Sequence, residues 1–274
     1  MGCLSAPHLA KSLQFHHGRG MSHRHSTEPP AAIQPHAPSL EAGIGAVRGQ
    51  IDHLDKQIAA LIVQRCALSA GVVAAKQAAG DHAFGWRPAR EREILQKVMQ
   101  AQPGLDPQLA FVVWRALMSA NLAAQGGFDV VSVAATQHQA HKNFSVGANH
   151  VCVEDCLAAL EAVAAKSHAI ALLPSPTAWP WWVDILQDRF AQLHICAADM
   201  DHTGAAPALM VCARPPEPAG ADDITLIAGP SALPFGEVIA EAAGHSLTRI
   251  EGAYTQEWAL PQGCRVLGTY GIGQ

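Results

Sequence analysis

Charge is scarce in this 274-residue chain: Asp, Glu, Lys and Arg make up 15% of it, against 49% hydrophobic residues. That balance excludes a solvated polar polymer and predicts packed cores, with length enough for two small domains. A basic excess is missing as well. The net charge is −5 and the pI near 6.3, which argues against nucleic acid as a general partner. No apolar run reads as long enough to span a bilayer, and the opening "MGCLSAPHLAKSLQFHHGRG" lacks the apolar h-region of a secretory signal. Zinc-like cysteine spacing is absent too. Seven cysteines at scattered positions read as reduced thiols rather than a disulfide framework. Cys152 and Cys156 have no His or Cys partners at metal-ligand spacing and read as packing. The expectation is a cytoplasmic protein with no membrane partner and no metal site.

Residues 1–38 hold six histidines, several prolines and few large apolar residues. This composition predicts a disordered leader. His16, His17, His23 and His25 could hold a metal, a reading the composition disfavours. Met21 is an alternative start.

Ordered structure is predicted from residue 39. Ser39 is a candidate N-cap with Glu41 in the first turn. Val47, Ile51, Leu54, Ile58, Leu61, Leu68 and Val72 then recur in steps of three and four, the seam of a helix packed on other helices. The helix is expected to end near Ala79, before Gly80-Asp81. About forty residues at about 1.5 Å each give roughly 60 Å, too long for two short helices of the same chain to cover, so a dimer is predicted. A second helix opens at Pro88, where the missing N–H is harmless, with Ile94, Leu95 and Val98 as its apolar face. A third has Asp106 as N-cap, Pro107 in its first turn, Phe111, Trp114 and Met118 on its inner face, and Gly126-Gly127 as its stop.

Polar residues interrupt all three apolar faces. Arg65 and Lys76 are eleven residues apart, about 20° from eclipsed, and sit at steps of the first seam. Glu91, with Arg90 beside it, heads the second stripe, and Asn121 and Gln125 continue the third. An unpaired buried cation costs several kcal/mol. The set therefore predicts a polar pocket inside a helical bundle, with three cations to one anion and a small anionic ligand. Structural ion pairs or snorkelling stems are the alternative.

The stretches "VRGQIDHLDKQIAALIVQRCALSAGVVAAKQ", "RPAREREIL" and "VVWRALMSANLAAQ" together resemble the all-helical class of chorismate mutase, over residues 40–126. The resemblance implies an all-α three-helix domain at 39–126 that forms an intertwined homodimer. It implies that chorismate rearranges to prephenate without a cofactor, in active sites shared between chains. Arg65 and Arg48 match the carboxylate-binding arginines, Arg48 serving the partner's site. Lys76 and Gln125 match the donors to the ether oxygen. Arg90 and Glu91 match an R-E pair whose glutamate accepts the substrate hydroxyl. Asn121 stands where many members have serine, and Arg87 where many have an aspartate. Arg87 is expected either to add a positive charge for the dianion or to face solvent.

From Phe128 the pattern changes to short apolar runs, "FDVVSVAA", "HAIALLP", "ALMVCAR" and "ITLIAG", with a helix over "EDCLAALEAVAAK". A small α/β domain is predicted to follow the helices. Its order resembles a shortened prephenate dehydratase segment at 127–205 and an ACT-like segment at 206–274. The dehydratase threonine is replaced near Ala206-Pro207-Ala208, and "LTRIEGAY" lacks residues that usually follow in the ACT motif. A worn structural remnant is expected there. Trp181 and Trp182 read as core, with an aromatic ligand pocket as the alternative. The competing functions are a bifunctional mutase–dehydratase, isochorismate pyruvate lyase on the same helical fold, and a non-catalytic aromatic amino-acid sensor.

Overall fold

Helix α1 spans Leu40–Ala78, close to the expected bounds. It stops at Gly80, whose φ of +75° suits a residue without Cβ. The structure is a computed structural model and describes residues 40–80, 83–199, 208–217, 220, 222–253 and 260–271. The leader, the Ser39 cap, and Ala206 and Pro207 lie outside them. Residues 1–53 and 54–274 form separate units; of the first, the described side chains are all exposed.

Among the described residues of one chain nothing covers the expected seam of α1. Val47, Ile51, Leu54, Ile58, Leu61, Leu68 and Val72 are each at least half exposed, Leu68 at 76%. The stripe that is half-covered comprises Ile62, Arg65, Cys66, Ser69, Val73 and Lys76. At about 100° per residue its centre lies roughly 60° round the helix from the seam, with Arg65 and Lys76 on the border between them. The segment Gly43–Ala78 is also long and apolar enough to cross a membrane by length and composition. That corrects the reading that no run in the chain is.

Helix α2 (Pro88–Ala101) begins, and helix α3 (Pro107–Ala123) begins and ends, as the punctuation predicts. Asp106 caps α3 by accepting a hydrogen bond from the Leu109 N–H at 2.8 Å. Arg87 occupies the corresponding place on α2 and makes no capping bond. Leu95 of α2 and Ala110, Met118, Ser119 and Leu122 of α3 are buried.

The remaining chain forms one mixed sheet. Its strands are β1 (Asp129–Val133), β2 (Asn149–Val153), β3 (Ala169–Leu173), β4 (His194–Asp199), β5 (Ala208–Cys212), β6 (Asp223–Gly229), β7 (Glu237–Ala242), β8 (His245–Glu251) and β9 (Arg265–Gly271). They lie in the order β2-β1-β3-β5-β4-β9-β6-β8-β7. Strands β1, β2 and β3 run parallel. Strand β5 is antiparallel to β3 and to β4, and its five residues are all buried. The expected boundary at 205/206 therefore falls inside the sheet rather than between two domains. Continuity beyond β4 depends on Gly268, which pairs with Ile195; a Cβ at Gly268 would overlap the Ile195 backbone.

Helices α4 (Gln137–Asn143) and α5 (Cys156–Ala164) complete the fold, α5 capped by Asp155 through the Ala158 N–H at 2.8 Å. One core cluster joins α5, Trp181, Trp182, Ile185 and Phe190 to Leu173, Ile195, Val211, Leu226 and Leu267. Trp181 and Trp182 thus serve as core, and the Trp181 indole N–H donates to the Pro174 carbonyl at 2.8 Å. A second cluster packs Trp86, Leu122, Phe128 and Phe144 against Ile170, Leu172 and Met210. This cluster ties the connection between α1 and α2, and the end of α3, to the sheet. Arg92 of α2 adds an ion pair at 2.9 Å with Asp223, whose side chain is 1% exposed.

Candidate active site

The end of α1 supplies Val73, Lys76 and Gln77 to a cavity of about 120 Å³. The connection after it supplies Ala83, Phe84 and Gly85, α3 supplies Leu122, the turn after α3 supplies Gln125 and Gly127, and His168 completes the lining. Lys76 at the end of α1 and Gln125 in the turn after α3, 49 residues further on, thus reach one cavity.

The Gln125 amide is held on two sides. Its Nε2–H donates to the Asn121 carbonyl at 3.2 Å. Its Oε1 lies so close to the Gly85 backbone that a Cβ on Gly85 would overlap it. Asn121 therefore enters through its main chain. Phe84 is steadied by stacking on His168, with ring centroids 5.3 Å apart.

Arg65 sits three turns before Lys76 on the half-covered stripe. Its Nη1 is buried and has no hydrogen-bond partner among the described residues. A buried unmet guanidinium N–H costs free energy unless a ligand or another chain meets it. Arg48 is exposed in the first unit.

Three expected members of the pocket lie elsewhere. Glu91 does not line the cavity; it accepts a hydrogen bond from Arg115 Nη1 at 2.7 Å, with both side chains only 13% exposed. Burial pushes its carboxyl above the usual range, while Arg115 and the neighbouring Trp86 indole pull the other way. The Trp86 Nε1–H itself completes no hydrogen bond of standard geometry. Arg90 is half exposed and pairs with Glu93 at 2.5 Å; Glu93, between Arg90 and Lys97, is held down at about 2, its bond to Lys97 contributing most. Arg87 neither joins the pocket nor faces solvent unpaired: its Nε–H donates to Glu217 at 3.1 Å. In the single chain the polar lining of the cavity is one cation, Lys76, two amides, Gln77 and Gln125, and the His168 imidazole, rather than three cations and one anion.

Sequence reasoning passed over Phe84, Gly85, His168 and Arg115. Arg115 was discoverable: it stands four residues after Phe111 and seven before Leu122, on the same helical face, and lies 5.3 Å from the Phe111 ring. Phe84 and His168 carry no local signal.

The arrangement offers N–H donors from Lys76 and Gln125, beside the His168 imidazole, and no carboxylate, hydroxyl or thiol side chain is among the lining residues. Such a site stabilises developing negative charge on a bound ligand. Comparison with known proteins gives one family: the model of chorismate mutase type II matches residues 47–126. No curated protein matches the chain. A solved structure described as "GqqA- a novel type of quorum quenching acylases" is similar at 13% identity, over 53% of this chain and 95% of that one, with a TM-score of 0.35. A likeness of that size fixes neither fold nor activity.

Proposed function

We propose how this chain, an isomerase that carries a chorismate mutase type II domain at residues 47–126, holds and rearranges its substrate. The rearrangement of chorismate to prephenate is pericyclic and needs no nucleophile, base or metal. Two things accelerate it: capture of the compact reactive conformer, and donors aimed at the ether oxygen as the C–O bond breaks. Lys76 and Gln125 are those donors in this reading. Their meeting in one cavity is the observation that carries it. Arg65, with its unmet buried Nη1, takes a substrate carboxylate, for which guanidinium is the best-matched donor.

The site is completed by a second copy of the chain. The cavity, about 120 Å³, is smaller than the roughly 300–1,000 Å³ of a typical ligand pocket. Monomeric proteins rarely expose an apolar seam as long as the one on α1. Arg48 would then serve the partner's site. A membrane is the other cover for such a helix, but it would place Arg65 in hydrocarbon at a cost of about 2.5–3.5 kcal/mol near the centre of a span. The sheet region is read as a remnant of a dehydratase and ACT-like arrangement without dehydratase activity, supported by the missing threonine near residues 206–208.

Chorismate loss followed by ultraviolet absorbance, with product analysis for prephenate and phenylpyruvate, tests the reading. Lys76→Ala and Gln125→Leu are each expected to lower turnover by roughly 100–1,000-fold with the fold retained. Unchanged turnover in folded Lys76→Ala refutes it.

A further inference from the structure

The wall of the cavity formed by Ala83, Phe84 and Gly85 has no regular secondary structure. Its shape is set from a point 130 residues along the chain. Arg214, just past β5, donates through Nη1 to the Phe84 carbonyl at 2.6 Å and through Nη2 to Glu217. Glu217 also accepts from Arg87 Nε at 3.1 Å. Arg214 is in turn fastened to the sheet, its own carbonyl accepting from the Cys196 thiol at 3.2 Å. Thus the residues on both sides of Gly85-Trp86 are gripped by one short segment. Trp86 between them is fully buried.

This geometry accounts for Arg87, which stands at a helix start and caps nothing. A guanidinium cannot accept the orphan N–H groups there; it can reach a carboxylate presented from outside the helical domain. Glu217 is shared between two guanidinium groups in charge-assisted bonds, the one to Arg214 partly buried and the one to Arg87 exposed. Neither Arg214 nor Glu217 lines the cavity. They touch the residues that do.

We propose that Arg214 and Glu217 are positioning residues for the mutase reaction: through Phe84 and Arg87 they hold the Gly85 backbone against the Gln125 amide and so fix the direction of that donor. The sheet region is by this account part of the machinery of the helical domain. The proposal rests on the reading that Gln125 acts on the substrate. A displacement of about 1 Å in such a group can cost on the order of 100-fold in rate.

The test uses the full chain with Arg214→Ala, Arg214→Lys, Glu217→Gln and, as control, Arg92→Gln. The control breaks an equally long-range ion pair, neither of whose residues lines the cavity. For each, kcat and KM for chorismate, thermal unfolding, and hydrogen exchange of a peptide covering residues 83–91 are measured. Arg214→Ala is expected to lower kcat at least about tenfold, with KM changed less than about threefold, and to speed exchange in that peptide. Arg214→Lys should recover part of the loss, and Arg92→Gln should lose stability with kcat within about twofold of the parent. A kcat in Arg214→Ala within twofold of the parent overturns the proposal, as does an equal kcat loss in Arg92→Gln. If the parent consumes no chorismate, the functional reading has failed. Exchange then still decides the clamp, since an unaltered 83–91 peptide in Arg214→Ala refutes it.

Discussion

Replacing Gly85 by alanine separates the donor role of Gln125 from its part in stability. The new methyl would overlap the Gln125 amide, and all its nearest contacts are with the far end of that one flexible side chain. Relief is therefore inexpensive: Gln125 turns away. The stability cost is a strained or altered rotamer, about 0.5–1.5 kcal/mol, plus the hydrogen bond to the Asn121 carbonyl, about 0.5–1.5 kcal/mol net. Reduced freedom of the unfolded chain returns about 0.4–1 kcal/mol. The sum is about 1–2 kcal/mol, or a Tm lower by a few degrees for a chain of this size. The catalytic cost is larger, because a preorganised donor is worth about 3–4 kcal/mol in the transition state. Turnover of Gly85→Ala should fall roughly 100–1,000-fold while KM moves little. Gly104→Ala is the control; a Cβ there meets nothing, and activity should be unchanged. Steady-state chorismate kinetics and a thermal melt on the same preparations give both numbers. A Gly85→Ala enzyme with kcat within about threefold of the parent would show that Gln125 does not act from this position.

Two further expectations follow from α1 and from the sheet. Leu68→Glu, at the most exposed seam position, places a charge where a second copy would pack; activity per chain should become strongly dependent on protein concentration, with a smaller particle by sedimentation. A particle size and specific activity equal to the parent's would exclude the seam as the interface. His194, at the start of β4, is held below its usual value, mainly by burial and further by Arg265. A base with a depressed folded pKa gives stability that is present above the unfolded value near 6.5 and is lost as pH falls through the folded value. Urea unfolding from about pH 7 down to about pH 5 should therefore show a slope that His194→Gln flattens, and an identical slope in the variant would refute the assignment.

Helix boundaries were legible because the chain marks them chemically. Pro88, Asp106-Pro107 and Gly126-Gly127 each act through their own backbone or side chain, so no knowledge of the fold is needed. Strands β1, β3, β5 and β6 were legible as continuous apolar runs, since interior strands are buried on both faces. Edge strands β2 and β7 were not. "NHVCV" and "EVIAEA" leave residues exposed on either face, and their alternation is too short to stand out. The placement of β5 between β3 and β4 had no sequence signal at all. It is a pairing choice made by the whole sheet, which is why a boundary drawn at 205 cut through it.

The site divides in the same way. Lys76 could be found because it lies on a helix whose phase the apolar residues fix, and Gln125 because the turn after α3 carries that phase two residues past Ala123. Glu91 shows the limit of that reasoning. Periodicity says that it points inward, and it does, but the direction "inward" does not say toward what; Arg115 on α3 meets it before any ligand can. The seam of α1 is the converse case. Its phase was read correctly as apolar, yet no described part of the same chain covers it. The half-covered stripe centred roughly 60° away is what the chain itself buries. One helix thus carries two working faces, and Arg65 and Lys76 stand on the line where they meet. A cation on that line is reachable from both sides. A site walled by one chain and closed by a second copy would require such a position, and a helix designed only for its own core would not.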